Sequence, residues 1–534
     1  MYYNSIIFGF IFDLLNKLKD LYYASTTARL VKGLADKGKE LFSHSRIWCF
    51  VKRRDYLSSV WEYSGVVRFL TWILNAPAAF WGRFYHGSKE VVRESYTVRT
   101  ITNSAVFRFV RLLLVRFEVT IGLSIALIAV IHHQIWNNLY STVIILGLFV
   151  IYFIKTLLQR YEGFNLKAID FALFAFMLSV VVAELTGLFP MDSLRPFIFY
   201  ATCFLFVLLI SSSMRTGRAL NSLVEIMLVG ICLTGIYAIY QSIMGVPTDP
   251  SLTDLTLNAG MPGRVYSTMQ NPNSYAEILI LTLPFFAAVI FNAESILRKL
   301  FFTALAIPPL FALFATGSRS SWIGLAAAIM VLVFFKERRL IPVAVLLGIL
   351  SLPVMGIVAP SIYRRVMTIF KASKDTSFNY RGYIFETFKP MLQDFWFTGI
   401  GLGSGMKNQT FMKILQRYPL HPELNGTYPP HTHNTFLQVW IEVGFVGIAT
   451  FVWFIIRMVK NCMINIFSGT EKQVNHILMA GVAAISANLV MSLAEYTWFY
   501  PRAMLFFWID VGIILAGVAI VARKKEGLSK KSVK

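Results

Sequence analysis

The chain has 534 residues, of which 56% are hydrophobic and 15% charged, with a mean hydropathy of +0.61. A water-soluble fold of that size has too little polar surface to cover so much apolar side chain, so the composition excludes a soluble enzyme and points to a polytopic membrane protein. The formal net charge of +22 gathers at the chain ends and between apolar runs, which fits topogenic charge and anionic membrane lipid rather than nucleic acid.

Residues 1–116 hold 18 Lys and Arg against 8 Asp and Glu. Ile7, Phe10, Leu14, Leu18 and Leu21 recur at helical spacing among Lys17, Lys19 and Asp20, the pattern of an amphipathic helix on a membrane surface. The first apolar stretch, 5–15, is short and carries Asp13, so no cleavable signal peptide is expected. Residues 66–81 are apolar but contain Arg68 and Pro77, and are read as interfacial.

From Phe117 on, apolar runs of membrane-spanning length repeat. Spans are expected near 117–136, 139–158, 168–189, 194–213, 222–244, 273–292, 300–316, 319–335, 340–359, 432–457, 475–497 and 503–522, an all-α bundle of about twelve. The positive-inside rule tests this order. With the basic N-terminal region inside, the inside loops collect Lys155, Arg160 and Lys167, then Arg215 and Arg218, Arg298 and Lys299, Lys336, Arg338 and Arg339, Arg457, Lys460 and Lys472, and the tail from Arg523 to Lys534. The short outside loops hold only Arg195, Arg264, Arg319 and Arg502. The expected organisation is a basic amphipathic cytoplasmic region (1–116), a transmembrane domain (117–523) with a large extracytoplasmic loop (360–431), and a basic cytoplasmic tail (524–534). Both termini are then cytoplasmic. Cys49, Cys203, Cys232 and Cys462 have no metal or disulfide spacing.

Arginines in short outside loops break the pattern. Arg264 precedes Asn271-Pro272-Asn273, where Asn271 fits an N-cap and Pro272 the first helical position. Arg319 lies in Thr316-Gly317-Ser318-Arg319-Ser320-Ser321, at a second outward-facing helix start. Arginine beside a helix N-terminus suits an anion such as phosphate. In the long loop, the front half (362–396) has helical periodicity and carries Arg381. Gly399-Ile400-Gly401-Leu402-Gly403-Ser404-Gly405 follows; with no strand before it, it reads as a flexible turn rather than a dinucleotide fingerprint. A proline-rich stretch leads to His431-Thr432-His433. No third metal ligand is near in sequence, so no metal is expected. His433-Asn434 opens the next apolar run, in which Gly444 and Gly447 sit three apart, as if on one helix face. One candidate base thus shares a face with several phosphate-binding groups, a composition that fits transfer from a phosphate-linked donor to a hydroxyl.

His433-Asn434 with Gly444 and Gly447, the Gly317-Ser318-Arg319 segment, Arg381 ahead of the glycine turn, and Gly263-Arg264 with Asn271-Pro272-Asn273 together resemble the O-antigen ligase and polymerase family of bacterial membrane glycan transferases. Ser267 stands where relatives often have Gly. The resemblance covers about 240–460. It implies a bundle similar to lipid-phosphosugar glycosyltransferases in the bacterial cytoplasmic membrane, with an extracytoplasmic active site. It implies a glycan donor on undecaprenyl pyrophosphate and a glycan, lipid or protein hydroxyl as acceptor, with no cofactor. His433 would be the base in an inverting displacement. Arg319 and Arg381 would act on the pyrophosphate, with Arg264 as a further donor contact. Asn434 would orient His433 or the acceptor. A polymerase of the same family remains open. So does a lipid-linked glycan flippase, for which Glu184, Glu225, Glu277, Glu442 and Glu495 are the ionisable candidates, and so does a scaffold whose residues 1–116 dock a polysaccharide-synthesis complex.

Overall fold

A computed structural model describes residues 56–88, 95–96, 100, 103–158, 163–247, 263–367, 369, 376–403 and 410–532, with Lys17, Ala24, Arg29 and Gly33. Ile7, Phe10, Leu14, Leu18 and Leu21 of the expected surface helix, and also Cys49, Arg160, Ser404 and Gly405, lie outside the described residues. The described residues contain helices, turns and irregular segments but no strand.

Two helices precede the spans, α1 (Tyr56–Tyr63) and α2 (Gly65–Gly87). They are followed by α3 (Ala105–Val115), α4 (Phe117–Val130), α5 (Asn138–Leu158), α6 (Phe171–Thr186), α7 (Pro190–Ser213) and α8 (Gly217–Met244). Then come α9 (Pro272–Asn292), α10 (Ile296–Ala315), α11 (Arg319–Glu337) and α12 (Ile341–Val358). The long loop holds α13 (Pro360–Met367), α14 (Thr376–Phe395) and α15 (Thr410–Leu415), and the chain ends with α16 (Thr435–Ser468), α17 (Lys472–Ser492) and α18 (Pro501–Ser532). The start of α9 is marked as the sequence implies, and that of α6 by a cap of the same kind. Asn271 Oδ1 accepts from the Asn273 N–H at 2.7 Å with Pro272 at the first turn, and Asp170 Oδ1 accepts from Ala172 N–H at 2.9 Å.

The protein is an all-α multi-pass membrane protein. Among the described residues, nine stretches are helices long and apolar enough to cross a membrane, or ten if the bent pair α3 and α4 counts as one span. Twelve were expected, and the difference has physical causes. Residues 319–358 form one 40-residue stretch, about twice what a bilayer core needs. Its middle carries Lys336, Arg338 and Arg339, and Arg365 of α13 returns to donate to the Gly317 carbonyl at 2.8 Å. The chain therefore leaves and comes back to the same end, and α11 and α12 are two antiparallel spans. The helices α4 and α6 have 14 and 16 residues, short for a bilayer core. The expected span at 117–136 ends early because 131–137 turn away from the helix. Conversely, α16 runs past its expected end at 457 and takes in Cys462.

The helices α9, α17 and α18 form the buried centre, with α11, α7, α8 and α16 around them. In lipid there is little hydrophobic gain between helices, so close approach matters; a Cβ on Gly230 of α8 would come within 2.6 Å of Ala126 in α4. Described residues on the two sides of the expected boundary at 116 are in contact. Trp61 Nε1 donates to the Ile169 carbonyl at 2.8 Å, and Asn75 bonds both backbone groups of Phe164, at 2.8 and 3.0 Å. Residues 56–87 are thus tied to the turn between α5 and α6. They are held there because the backbone groups of Phe164 and the Ile169 carbonyl find their side-chain partners on α2 and α1.

Candidate functional site

The end of the bundle that carries the long loop gathers four arginines around one turn and one carboxylate. The turn is Thr316-Gly317-Ser318, between α10 and α11. Gly317 has φ 63°, a left-handed conformation that suits glycine. Arg264 donates from Nε to the Thr316 carbonyl at 2.6 Å and from Nη2 to Asn273 Oδ1 at 2.5 Å. Arg365 approaches from the other side through its 2.8 Å bond to the Gly317 carbonyl. A Cβ on Gly317 would sit 3.3 Å from Arg365 Nε and 3.4 Å from Arg264 Nε, so glycine lets both guanidiniums close on one turn. Arg319 opens α11 beside them. Burial, then Arg365, pulls the Arg264 guanidinium down to about 9, with Glu495 opposing and Arg319 adding to the effect. Like charges are thus crowded at one spot, where an anion would relieve them.

Arg264 is held in place by its own loop. Gln241 Oε1 accepts from Ser267 N–H at 2.7 Å, and Ser267 Oγ donates to the Thr234 carbonyl at 2.6 Å. Ser267 has φ 53°, a left-handed conformation that costs a residue with a side chain more than glycine. The serine is supported by these bonds.

The carboxylate is Glu495, in the turn between α17 and α18. Arg381 Nη2 donates to Glu495 Oε1 at 2.5 Å, and His433 Nδ1 lies 3.5 Å from Glu495 Oε2. Burial alone would raise the Glu495 carboxyl, but Arg381 and then His433 outweigh it and hold it at about 2. Its side chain is 12% exposed, against 26% for His433 and 27% for Arg381. The carboxylate is therefore a buried brace and the imidazole is reachable.

His433 is held in a constrained backbone conformation. Its φ is 51°, uncommon for a residue with a side chain and worth a functional hypothesis. Its backbone N–H donates to His431 Nδ1 at 3.2 Å. Burial, then His433, pushes the His431 imidazole well below its usual range, so His431 stays neutral and can accept that bond. Thr432 Oγ1 donates to the Asn434 carbonyl at 2.8 Å. Asn434 Oδ1 caps α16 through Leu437 N–H at 3.0 Å, while its Nδ2 donates to the Leu493 carbonyl at 3.0 Å. Both ends of the Asn434 amide are engaged with backbone, which fits orienting His433 rather than touching an acceptor. The hydroxyl of Thr435 joins the Glu495 carbonyl and Thr497 Oγ1, each at 3.0 Å. That ties the histidine's helix to the carboxylate's turn.

The glycines differ from expectation. Gly444 is not on a helix face. It has φ 75° and ψ −176°, and α16 kinks there. The glycine-rich stretch crosses that break: Ile400 N–H donates to the Ile441 carbonyl at 2.8 Å, Gly401 N–H to Glu442 at 3.1 Å, and Phe445 N–H to Phe397 at 3.1 Å. The described part of the expected flexible turn is thus a hydrogen-bonded clasp, made possible by backbone groups that the kink frees. Glu442 accepts from Gln438 Nε2 at 3.0 Å, and Glu225 pairs with Arg298 at 2.5 Å. Two of the carboxylates that favoured a passage are accounted for by packing.

Arg264, Arg319, Arg381 and His433 are thus brought to one site. Sequence reasoning missed Arg365 as a site residue and the role of Glu495. Arg365 stands beside Arg364 in a short amphipathic stretch with no motif around it, and Glu495 was assigned to the end of a span.

Residues 303–452 match the family model described as O-antigen ligase. The chain carries an O-antigen ligase family domain. The match takes in Arg319, Arg365, Arg381, His433 and Gly444, while Arg264 and Glu495 lie outside it. The chain is also 22% identical, over 388 residues, to the teichuronic acid biosynthesis protein TuaE of Bacillus subtilis (strain 168), covering 70% of this chain and 76% of that protein. The domain match puts the chain among proteins of surface polysaccharide biosynthesis, with a glycosyltransferase-type activity.

Proposed function

We propose that the protein transfers a glycan from an undecaprenyl-pyrophosphate donor to an acceptor hydroxyl at the outer face of the bacterial cytoplasmic membrane. The observation that carries this is the shared carboxylate: Glu495 braces both the reachable His433 and Arg381, beside the arginines around Gly317. Glu495 orients the imidazole through Nδ1, leaving Nε2 as the base. His433 takes the acceptor proton as the hydroxyl oxygen attacks the anomeric carbon. The bond from that carbon to the pyrophosphate oxygen breaks, and the electron pair leaves with the pyrophosphate. Attack from the opposite face inverts the anomeric centre. Arg264, Arg319, Arg365 and Arg381 stabilise the charge on the leaving group in a site partly closed to water. Asn434 positions His433. No metal is called on in this scheme. The acceptor is a glycan, lipid or protein hydroxyl, and both termini lie in the cytoplasm, where residues 1–116 are placed to meet a synthesis complex.

The test uses purified protein with undecaprenyl-pyrophosphate oligosaccharide and no acceptor. A ladder of longer lipid-linked glycans, lost in His433→Ala, identifies a polymerase. No ladder, but transfer once crude envelope acceptor is added, identifies a ligase. A folded and fully active His433→Ala protein, or donor accumulating untransferred on the inner side in cells, overturns the proposal; the second result would favour a flippase.

A further inference from the structure

We infer that Gln438 is a positioning residue for His433: its buried amide holds the backbone that aims the imidazole, and links that backbone to the clasp of the long loop. The inference rests on the reading of His433 as the base in glycan transfer.

The imidazole stands on a short strap, His431-Thr432-His433, ahead of α16. A φ of 51° on a residue with a side chain persists only where the surroundings over-determine it. Glu495 does not supply that hold. Its carboxylate lies 3.5 Å from Nδ1, long for a hydrogen bond, and acts at the tip of the side chain. The strap is held from within the fold instead. Gln438, in the first turns of α16 and wholly buried, reaches back so that its Oε1 accepts from the Thr432 N–H at 2.9 Å. A backbone N–H only donates, so the amide oxygen must face Thr432 and the amide nitrogen must face away. Nε2 then donates to Glu442 Oε1 at 3.0 Å, one turn further along the helix. The amide cannot turn over without losing both bonds.

The helix itself does not need this side chain. Asn434 already caps α16 through Leu437 N–H at 3.0 Å, and the Gln438 N–H bonds the Asn434 carbonyl in the ordinary helical way, also at 3.0 Å. A buried amide costs free energy unless its bonds are made, and the bonds made here run to the strap and to Glu442. The backbone carbonyl of Glu442 accepts from the Gly401 N–H at 3.1 Å. Gly401, Glu442, Gln438 and Thr432 thus form one bonded line from the clasp to the residue before the base.

The purified full chain is assayed with undecaprenyl-pyrophosphate oligosaccharide, with and without envelope acceptor. Gln438→Met keeps the volume and removes both bonds. It should lower kcat by about a hundredfold, the cost of roughly 1 Å of misplacement, and leave the donor KM within about twofold. Gln438→Glu keeps an oxygen toward the Thr432 N–H and should recover about tenfold of that loss. Asn292→Leu strips bonds to Asn221 and Gln473 at the other end of α9. It should lower the unfolding midpoint but not kcat, which separates lost stability from lost aim. A structure of Gln438→Met by cryo-electron microscopy reads the same point without activity: His433 should leave positive φ or move away from Glu495. Unchanged kcat in Gln438→Met, no recovery in Gln438→Glu, or an unmoved His433 in the variant's structure each overturns the inference. If wild type transfers no glycan, the transfer reading fails, and the structure alone decides whether Gln438 sets His433. Should Gln438→Met not fold, Gln438→Asn, whose shorter amide cannot reach Thr432, carries the same expectations.

Discussion

Gly399 and Gly444 pass so close that neither has room for a side chain. A Cβ on Gly399 would fall 2.6 Å from the Gly444 nitrogen, and one on Gly444 would fall 2.3 Å from the Phe397 carbonyl oxygen. The contact clasps the long loop to the kink in α16, eleven residues after His433 along the chain. Gly444→Ala should therefore cost about 3 kcal/mol or more in stability, from backbone strain and overlap together. Gly426→Ala also places a side chain at positive φ, 77°, but in open space, and should cost about 1 kcal/mol. Thermal unfolding of the two purified variants compares them. Equal midpoints would mean that the clasp is not structural.

Glu495→Gln keeps the shape of the brace and removes its charge. Transfer should fall about a hundredfold or more, in turnover rather than in donor KM, because the imidazole loses its orienting carboxylate. Glu495→Asp should recover part of the rate. Full activity in Glu495→Gln would remove the carboxylate from the mechanism.

The same carboxylate predicts an acid-sensitive fold. Its value in the folded protein, about 2, lies below the ordinary 4.5. A depressed carboxylate contributes stability that is present above its unfolded value and is lost as the pH falls toward its folded value. Wild type should thus lose stability steeply below the ordinary carboxylate range. Glu495→Gln should be less stable at neutral pH and have a flatter acid limb. Parallel curves of unfolding midpoint against pH would contradict this.

Arg365→Gln should raise the donor KM by about tenfold, and Arg365→Lys should not restore it, because an ammonium cannot keep the Nε bond to Gly317 while also facing an anion. Arg364→Gln, on the exposed neighbour, serves as the control and should change little. A donor KM unmoved by Arg365→Gln would reduce Arg365 to a loop anchor.

Much of the bundle was legible because lipid imposes a simple code of long apolar runs. The helix start at Asn271 could be read for a local reason, since a cap involves only neighbouring residues. Arg264 and Arg319 stood out because arginine in a short loop expected outside breaks the positive-inside pattern, and Arg381 and His433 because of the motif resemblance they carry. What stayed hidden depended on distant partners. The kink at Gly444 exists because the strand of chain at Phe397–Gly401 bonds there, and a helical spacing of glycines gives no hint of that. Glu495 acquires its role only when α17 ends at Ser492 and the next turn carries it against Arg381. Arg365 matters because α12 brings the chain back to Gly317.

The pinning of Trp61 on Ile169 and of Asn75 on Phe164 bears on how this protein is handled at the bench. A chain trimmed to begin at Phe117, where the apolar runs start, would strip three backbone hydrogen bonds from the turn between α5 and α6. It would also bare the wall on which α2 rests. Anyone shortening the basic head for expression or for fusing a tag should cut ahead of Tyr56, and should expect poor yields from any later start.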